Sequence, residues 1–243
     1  MIPIIFEHHD FIVVNKPIDL GMHGPEDSII PLLKQQTGLA HLYLVHRLDT
    51  PTSGCLLIAT NKQAASNLSQ LFANRQIQKY YVALSDKKPK KKQGKISGDM
   101  TKARNGSYKL LVSQDNPATT FFFSALMPSN TEHQKPKQSY RLFIVKPITG
   151  KTHQIRVALK SLSSPILGDK RYKGEAADRL YLHSYSLVFN YHERNFDIRC
   201  LPQQGKHFVE HTLDQHPLMP PHKASWPAYQ APRLSPTTRP EET

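Results

Sequence analysis

Arg47-Leu48-Asp49 lies in a stretch built of turn formers, from His46 to Gly54. A carboxylate placed there can serve as a nucleophile or a base, provided it is ionised and aimed. A guanidinium beside it supplies both conditions, through charge and through directed hydrogen bonds. Arg47 is the neighbour in sequence, and Arg156 is a candidate partner from far along the chain. On its own the triplet reads more readily as a turn, because Asp is a routine turn residue. Thr149-Gly150-Lys151-Thr152 ends like a phosphate-binding loop, but that loop needs Gly five residues before Gly150, and Val145 stands there. Nucleotide hydrolysis is excluded, while Lys151 at a helix N-terminus can still hold a nucleic-acid phosphate. Tyr80 and Tyr81 are adjacent on a strand and point to opposite faces, one to the core and one to a cleft. A phenol in a cleft can stack on a base or move a proton, though two ordinary strand aromatics are the simpler reading. In Arg179 to Ser184, alternation puts Leu180 and Leu182 inward. His183 reads as a structural histidine before it reads as a base or ligand.

These residues need elements to position them. Phe11 to Val14 is a β-branched and aromatic run that stops at Pro17. Cys55 to Ala59 follows the turn segment as an apolar strand. Thr60 and Gln63 have capping-box spacing and predict a helix with Ala64, Leu68, Leu71 and Phe72 on one face. A strand over Tyr80 to Leu84 follows. Lys87 to Lys95 holds six lysines and no acid, so mutual repulsion predicts a solvated loop able to touch phosphates. Further strands are expected at Tyr108 to Val112, Thr119 to Ala125, Tyr140 to Val145, Leu187 to Phe189 and Phe196 to Cys200. Pro128 to Gln138 reads as a charged turn segment. A helix is expected from Thr149-Gly150, with Ile155, Leu159 and Leu162 on the core side and His153, Arg156 and Lys160 on a cationic face. Seven prolines crowd the end of the chain, from Pro217 to Pro240, which predicts an extended or disordered segment.

Composition narrows the partners. Thirty-two Lys and Arg against nineteen Asp and Glu give a net charge of +13, and such a surplus favours a polyanion, nucleic acid being the commonest. No apolar run approaches the ~18 residues of a membrane span. Two cysteines exclude a disulfide scaffold and fit a reducing, cytoplasmic setting. The thirteen histidines never pair with cysteines at zinc spacing.

Taken together, the blocks resemble the RluA-type family of RNA pseudouridine synthases. Val13-Val14-Asn15-Lys16-Pro17 is similar to the opening block. His46 to Gly54 resembles the signature HRLDxxTSG, Lys79 to Ala83 the KxYxA block, Thr149 to Arg156 with Pro165 to Asp169 the TGRTHQIR…PLxGD block, and Arg179 to Ser184 the RLxLHA block. The resemblance spans Asp10 to about Phe189. It implies an α+β fold, with a central, mostly antiparallel sheet, flanking helices and a deep RNA-binding cleft. It implies isomerisation of uridine to pseudouridine in tRNA or rRNA with no cofactor or metal, and a monomer acting without nucleotide or membrane is expected. Asp49 falls on the family's catalytic aspartate, Tyr81 on its active-site tyrosine, and Arg156 on the arginine paired with the aspartate. Arg47 falls on an arginine that holds the target nucleotide out of the stack, and Lys151 and His153 complete the expected substrate-binding set.

The expected division is a catalytic domain over residues 1–212 and a proline-rich segment over 213–243. The catalytic block begins within ten residues of Met1, so a stand-alone domain without an S4 module is expected. The Thr50-Pro51 variant of the signature is reminiscent of members acting on tRNA. Lys151 replaces the usual Arg, Ala158 a frequent His, Ser163-Ser164 a glycine before Pro165, and Asp19 a common Gly. A non-catalytic RNA-binding or RNA-folding protein on the same scaffold is the alternative, against which the joint retention of Asp49, Tyr81 and Arg156 argues.

Overall fold

The computed structural model describes residues 1–24, 26–127, 139–209, 213 and 216–228. The expected turn segment Pro128 to Gln138 and the chain beyond residue 228 lie outside them.

Alternation within the first strands decides the layering. β1 (Ile4–Glu7), β2 (Phe11–Lys16), β3 (Tyr43–Leu44) and β4 (Ser53–Ala59) form one flank of a ten-stranded sheet. Ile12, Val14, Leu56 and Ile58 enter one apolar core, and Phe11, Val13, Cys55, Leu57 and Ala59 enter a second. Side chains alternate sides along a strand, so the two cores occupy the two faces of the sheet. That is why these strands read as continuous apolar runs. Helix α1 (Ile29–Thr37) supplies Ile29 and Leu33 to the first core, and α2 (Lys62–Ala73) supplies Ala64 and Leu68 to the second.

The remaining strands are β5 (Gln78–Ser85), β6 (Gln93–Gly98), β9 (Ala118–Leu126), β10 (Arg141–Pro147), β11 (Leu182–Tyr191) and β12 (Arg194–Arg199), with the hairpin β7 (Met100–Lys102) and β8 (Tyr108–Leu110) apart as a two-stranded ribbon. Strand order is β1-β2-β4-β11-β5-β10-β9-β6, with β12 on β11 and β3 on β4. All these pairings are antiparallel except β4 with β11, which run parallel at Ser53–His183 and Gly54–Ser184. Gly54 permits that approach. Its φ is 112°, and a Cβ there would lie 2.2 Å from the Ser184 carbonyl oxygen. No L side chain fits such a contact.

Helix α3 (Gln154–Ser161) buries Ile155, Ala158 and Leu159 in the first core. It starts at Gln154 rather than at Thr149-Gly150, because His153 takes a left-handed φ of 58° and the Gln154 side chain ties the preceding loop. Arg156 is 6% exposed, so it belongs to a buried site and not to a solvated cationic face with Lys160. The cap of α2 also differs from its expectation. Asn61, not Thr60, accepts from the Ala64 N–H, while the Thr60 hydroxyl donates to the His9 carbonyl.

The lysine-rich stretch is a loop only to Lys92. Gln93 to Lys95 open β6, the last strand of the sheet, paired with Phe121 to Phe123. Exposed charge is tolerated there because an edge strand keeps one side toward water. Beyond a short helix α4 (Lys206–Val209), the described residues 216–228 are packed rather than free. Leu218, Met219 and Trp226 rest on the first core, and the Trp226 ring meets Phe123 at 4.6 Å. Proline density alone pointed to an extended segment, but one indole and two aliphatic side chains give these residues surface to bury.

Two departures from the family pattern share one backbone explanation. Asp19 and Ser163 both have φ of 59°, the left-handed region where glycine is the unstrained choice. Asp tolerates that region better than most residues.

Candidate active site

Asp49 stands in the loop between β3 and β4, and this loop is fastened from below. Lys16 is fully buried and its ammonium donates to the carbonyls of Pro17 (2.8 Å) and Thr50 (3.0 Å). The Thr50 oxygen also accepts from the Asp19 N–H at 2.9 Å. Burial lowers the Lys16 pKa to about 8. The lysine of the opening block is thus a strut beneath the turn that presents Asp49. On the other side of the loop, His46 accepts the Leu57 N–H on Nε2 at 2.9 Å and stacks on Phe72 with centroids 4.4 Å apart. Burial pushes its pKa down to about 3, so the ring is neutral and structural.

Ser53 begins β4 and anchors a second chain of bonds. Its hydroxyl accepts from Arg179 Nη2 at 2.6 Å and contacts His183 Nδ1 at 2.8 Å. His183 Nε2 in turn meets the Cys200 carbonyl at 2.9 Å. A carbonyl only accepts, so Nε2 carries the proton and Ser53 donates to Nδ1. His183 is fully buried and satisfied at both nitrogens, the structural role its type favoured.

Arg156 reaches the site from α3. Its Nε and Nη2 donate to the two oxygens of Asp169, each at 2.8 Å, while Nη1 lies 3.6 Å from Asp49 Oδ2. The expected Arg156–Asp49 pair is present, but the two-point partner is Asp169. Burial opposes the charge of Arg156, and the hydrogen bonds and charge of Asp169 outweigh it and raise its pKa. Gly168 sets Asp169 in place; its φ is 79°, and a Cβ there would collide with the Arg179 carbonyl.

His153 faces Asp49 from the other side, Nε2 to Oδ2 4.0 Å. Its Nδ1 meets the Tyr172 hydroxyl at 2.9 Å, and that oxygen accepts the Tyr108 N–H at 3.0 Å. With Tyr172 donating to Nδ1, the neutral ring holds its proton on Nε2, toward Asp49. Burial lowers the His153 pKa, which keeps the ring neutral near pH 7.

Tyr81 approaches on β5, between β10 at Val145 and β11 at Ser184. Burial raises its pKa, and the Asp49 charge adds to the rise. The phenol stays protonated at neutral pH. Its neighbour Tyr80 points to the other face, 1% exposed, with Trp226 5.9 Å away. The two tyrosines divide between packing and cavity, as alternation requires.

All six sequence-derived residues meet around one cavity of about 520 Å³: Asp49, Tyr81, Arg156, Arg47, Lys151 and His153 line it. Arg47 is exposed at its edge and makes no hydrogen bond or ion pair with the described residues. Lys151 donates its backbone N–H to Gln154 Oε1 and its ammonium to the Asn116 carbonyl. The loop therefore offers fewer open amides than its likeness to a phosphate loop suggested. Two further lining residues escaped sequence reasoning. Lys79 is half-buried with no hydrogen bond or ion pair among the described residues, and burial lowers its pKa to about 8. Thr52 Oγ1 is buried without a partner. Both were visible as letters of recognised blocks, but neither block says which letters face a cavity. Arg47, Arg75, Lys79, Lys151 and Arg156 line the cavity against a single carboxylate, Asp49. Its lining holds one carboxylate among cations.

Residues 10–161 match the family described as RNA pseudouridylate synthase. The chain belongs to this family. It is an RNA pseudouridine synthase, an isomerase. A Haemophilus influenzae protein described as an uncharacterized RNA pseudouridine synthase is 45% identical over 216 residues, 87% of this chain and 92% of that one. A Rickettsia bellii protein named ribosomal large subunit pseudouridine synthase C is 32% identical over 77% of this chain, which spans only 63% of that protein. Among solved structures, human RNA pseudouridylate synthase domain containing 1 superposes with a TM-score of 0.68, at 25% identity, over 82% of this chain and 83% of that one. The α+β architecture with its mostly antiparallel sheet is that of the synthase domain. No described helix is long and apolar enough to cross a membrane.

Proposed function

We propose that the chain isomerises a uridine of tRNA or ribosomal RNA with Asp49 as the nucleophile, acting as a monomeric, cofactor-independent cytoplasmic enzyme. The observation that carries this is the position of the Asp49 carboxylate. It enters a cation-lined cavity, 3.6 Å from Arg156 and 4.0 Å from His153, with no closer side-chain partner among the described residues. A carboxylate so placed is aimed but not consumed.

The reaction breaks the bond from C1′ to N1 of uracil and makes one from C1′ to C5. The proton on C5 leaves and N1 gains one, so product and substrate have the same atoms. Asp49 attacks C1′ or C6, and either route needs an ionised oxygen at the reacting centre. Arg156, locked by Asp169, steadies that charge without moving during the reaction. Tyr81 is a neutral phenol in this environment, suited to lie against the base and to hydrogen-bond it. A phenolate base is disfavoured by the same burial. The target base must leave its stack at a cost of a few kcal/mol. Arg47 at the cavity edge fills the vacated space or holds the displaced nucleotide. Lys79 and Lys151 offer charge to the flanking phosphates, which repay part of that cost.

The substrate class has two pointers. The Rickettsia relative is named for the ribosomal large subunit, whereas Thr50-Pro51 resembles members acting on tRNA. Pseudouridine mapping on RNA from deletion cells, complemented with wild type or Asp49→Asn, tests both reaction and substrate. A site lost on deletion and restored only by wild type is the expected result. Purified Asp49→Asn should lose turnover by about 10⁴-fold or more, with RNA affinity nearly unchanged because phosphates supply most of it. Turnover near the wild-type rate would remove Asp49 from the mechanism.

A further inference from the structure

A second cluster of chemistry-bearing side chains lies at the other end of β4. That strand runs from Ser53, next to the catalytic loop, to Ala59, so the two ends are roughly 20 Å apart at the usual strand rise. The β1–β2 turn brings His8, His9 and Asp10 there, and the β11–β12 turn brings His192. None of the four lines the catalytic cavity. His9 Nε2 lies 3.2 Å and His192 Nε2 4.0 Å from Asp10 Oδ2. Single ligand atoms of His8, His9 and Asp10 lie within 4.8 Å of one another. The His8 and His9 rings are 4.0 Å apart, centroid to centroid.

We propose that His8, His9, Asp10 and His192 form a binding site for one divalent transition-metal ion of the zinc type, clipping two hairpin turns together. Zinc takes imidazole nitrogens and carboxylate oxygens in a tetrahedron, with bonds of about 2.0–2.2 Å that put neighbouring ligand atoms roughly 3.3 Å apart. His9 and Asp10 already stand at that spacing, whereas His192, 4.0 Å from the carboxylate, must swing in to join the His8, His9 and Asp10 group. His9 and His192 are free to move, being 78% and 65% exposed at their side chains. The carboxylate is already oriented. Asn61 Nδ2 donates to Oδ1 at 2.9 Å and the Tyr191 hydroxyl to Oδ2 at 3.0 Å, the outer hydrogen bonding typical of metal-binding carboxylates. His8 is the least committed ligand, since its Nδ1 accepts the Asp10 N–H at 3.2 Å. Sequence spacing could not show this site, because His192 comes from the far end of the chain.

The test uses the full chain without a histidine tag, titrated with zinc sulfate by calorimetry and followed by thermal unfolding. One ion per chain and a rise in Tm are expected. The His9→Gln/His192→Gln double variant should bind about tenfold more weakly or worse and lose the Tm rise. Its metal-free Tm should equal wild type, since both side chains sit on exposed turns. X-ray absorption of the zinc-loaded chain should show nitrogen and oxygen neighbours only. Unchanged affinity in the double variant, a sulfur neighbour, or no saturable binding at millimolar zinc would each overturn the proposal.

Discussion

Arg179 and Arg47 carry the same guanidinium and live in opposite circumstances. Arg179 is 6% exposed and donates to Ser53, to Gln204, and to the carbonyls of Leu180 and Leu182. Arg47 is exposed at the cavity edge and donates to none of the described residues. The contrast extends to whole regions. Behind the cavity, Lys16, Ser53, His183, Arg179, Arg156 and Asp169 are bonded to one another or to backbone carbonyls. Around its mouth, Arg47 and Lys79 have no protein partner among the described residues, and Lys151 has one carbonyl. The first region is complete without substrate and should carry stability. The second is electrically incomplete and should carry RNA affinity.

Cutting the inner region at its strongest bond gives the largest effect on folding. Asp169→Ala leaves the Arg156 guanidinium buried without its two-point partner, which costs about 3–5 kcal/mol. Urea denaturation should show the midpoint falling accordingly, with turnover falling as Arg156 drifts from Asp49. A midpoint within error of wild type would mean that the inner region is not what holds the fold. Ser53→Ala probes the same region more mildly. It leaves His183 Nδ1 unpaired and Arg179 Nη2 with only the Leu182 carbonyl at 3.3 Å, at about 1–3 kcal/mol for a buried group left unpaired. If the variant is as stable as wild type, the Ser53 chain of bonds is dispensable and the comparison loses one of its two supports.

The legibility of the molecule follows the same division. Strands β2, β4, β5 and β9 were readable because β-branched and aromatic runs have few other uses. That Asp49, Tyr81 and Arg156 would meet at one cavity was readable because they stand in segments with specific spacing. The inner partners were not. Asp169 and Ser53 were quoted as letters of motifs, yet that Asp169 takes Nε and Nη2 of Arg156 and leaves Nη1 for Asp49 depends on a turn held by Gly168, which only three dimensions reveal. The start of α3 was misplaced by the attraction of Thr149-Gly150, whereas Gln154 ties that loop with bonds to Thr149, Lys151 and Thr119. The packing of residues 216–228 was hidden because prolines dominate composition while one Trp decides the contact.

Lys79 sharpens the outer half of the comparison. Burial holds its pKa at about 8 against an ordinary 10.5. The folded chain therefore gives up that proton before the unfolded chain does, and stability rises with pH between about 8 and 10.5. Lys79→Gln should remove that rise and leave the fold at pH 7 no weaker. RNA affinity should drop about tenfold, the scale of one hydrogen bond to a charged group. In wild type the affinity should decline as pH climbs through 8 and the ammonium is lost, and the decline should flatten in the variant. Loss of stability with intact affinity would place Lys79 in the inner region instead.

The smallest effect is expected farthest from the cavity. Lys90, Lys91 and Lys92 are exposed ahead of β6. Each phosphate they neutralise adds close to one to the slope of log affinity against log salt. Changing all three to Gln should flatten that slope by about 1–3 and leave both the urea midpoint and the single-turnover rate at saturating RNA unchanged. If the slope flattens, the electrically incomplete region extends past the cavity along the path of the RNA. If it does not, the region ends at Arg47 and Lys79, and the lysine tract is solvated charge on a sheet edge that guards against strand pairing with another chain.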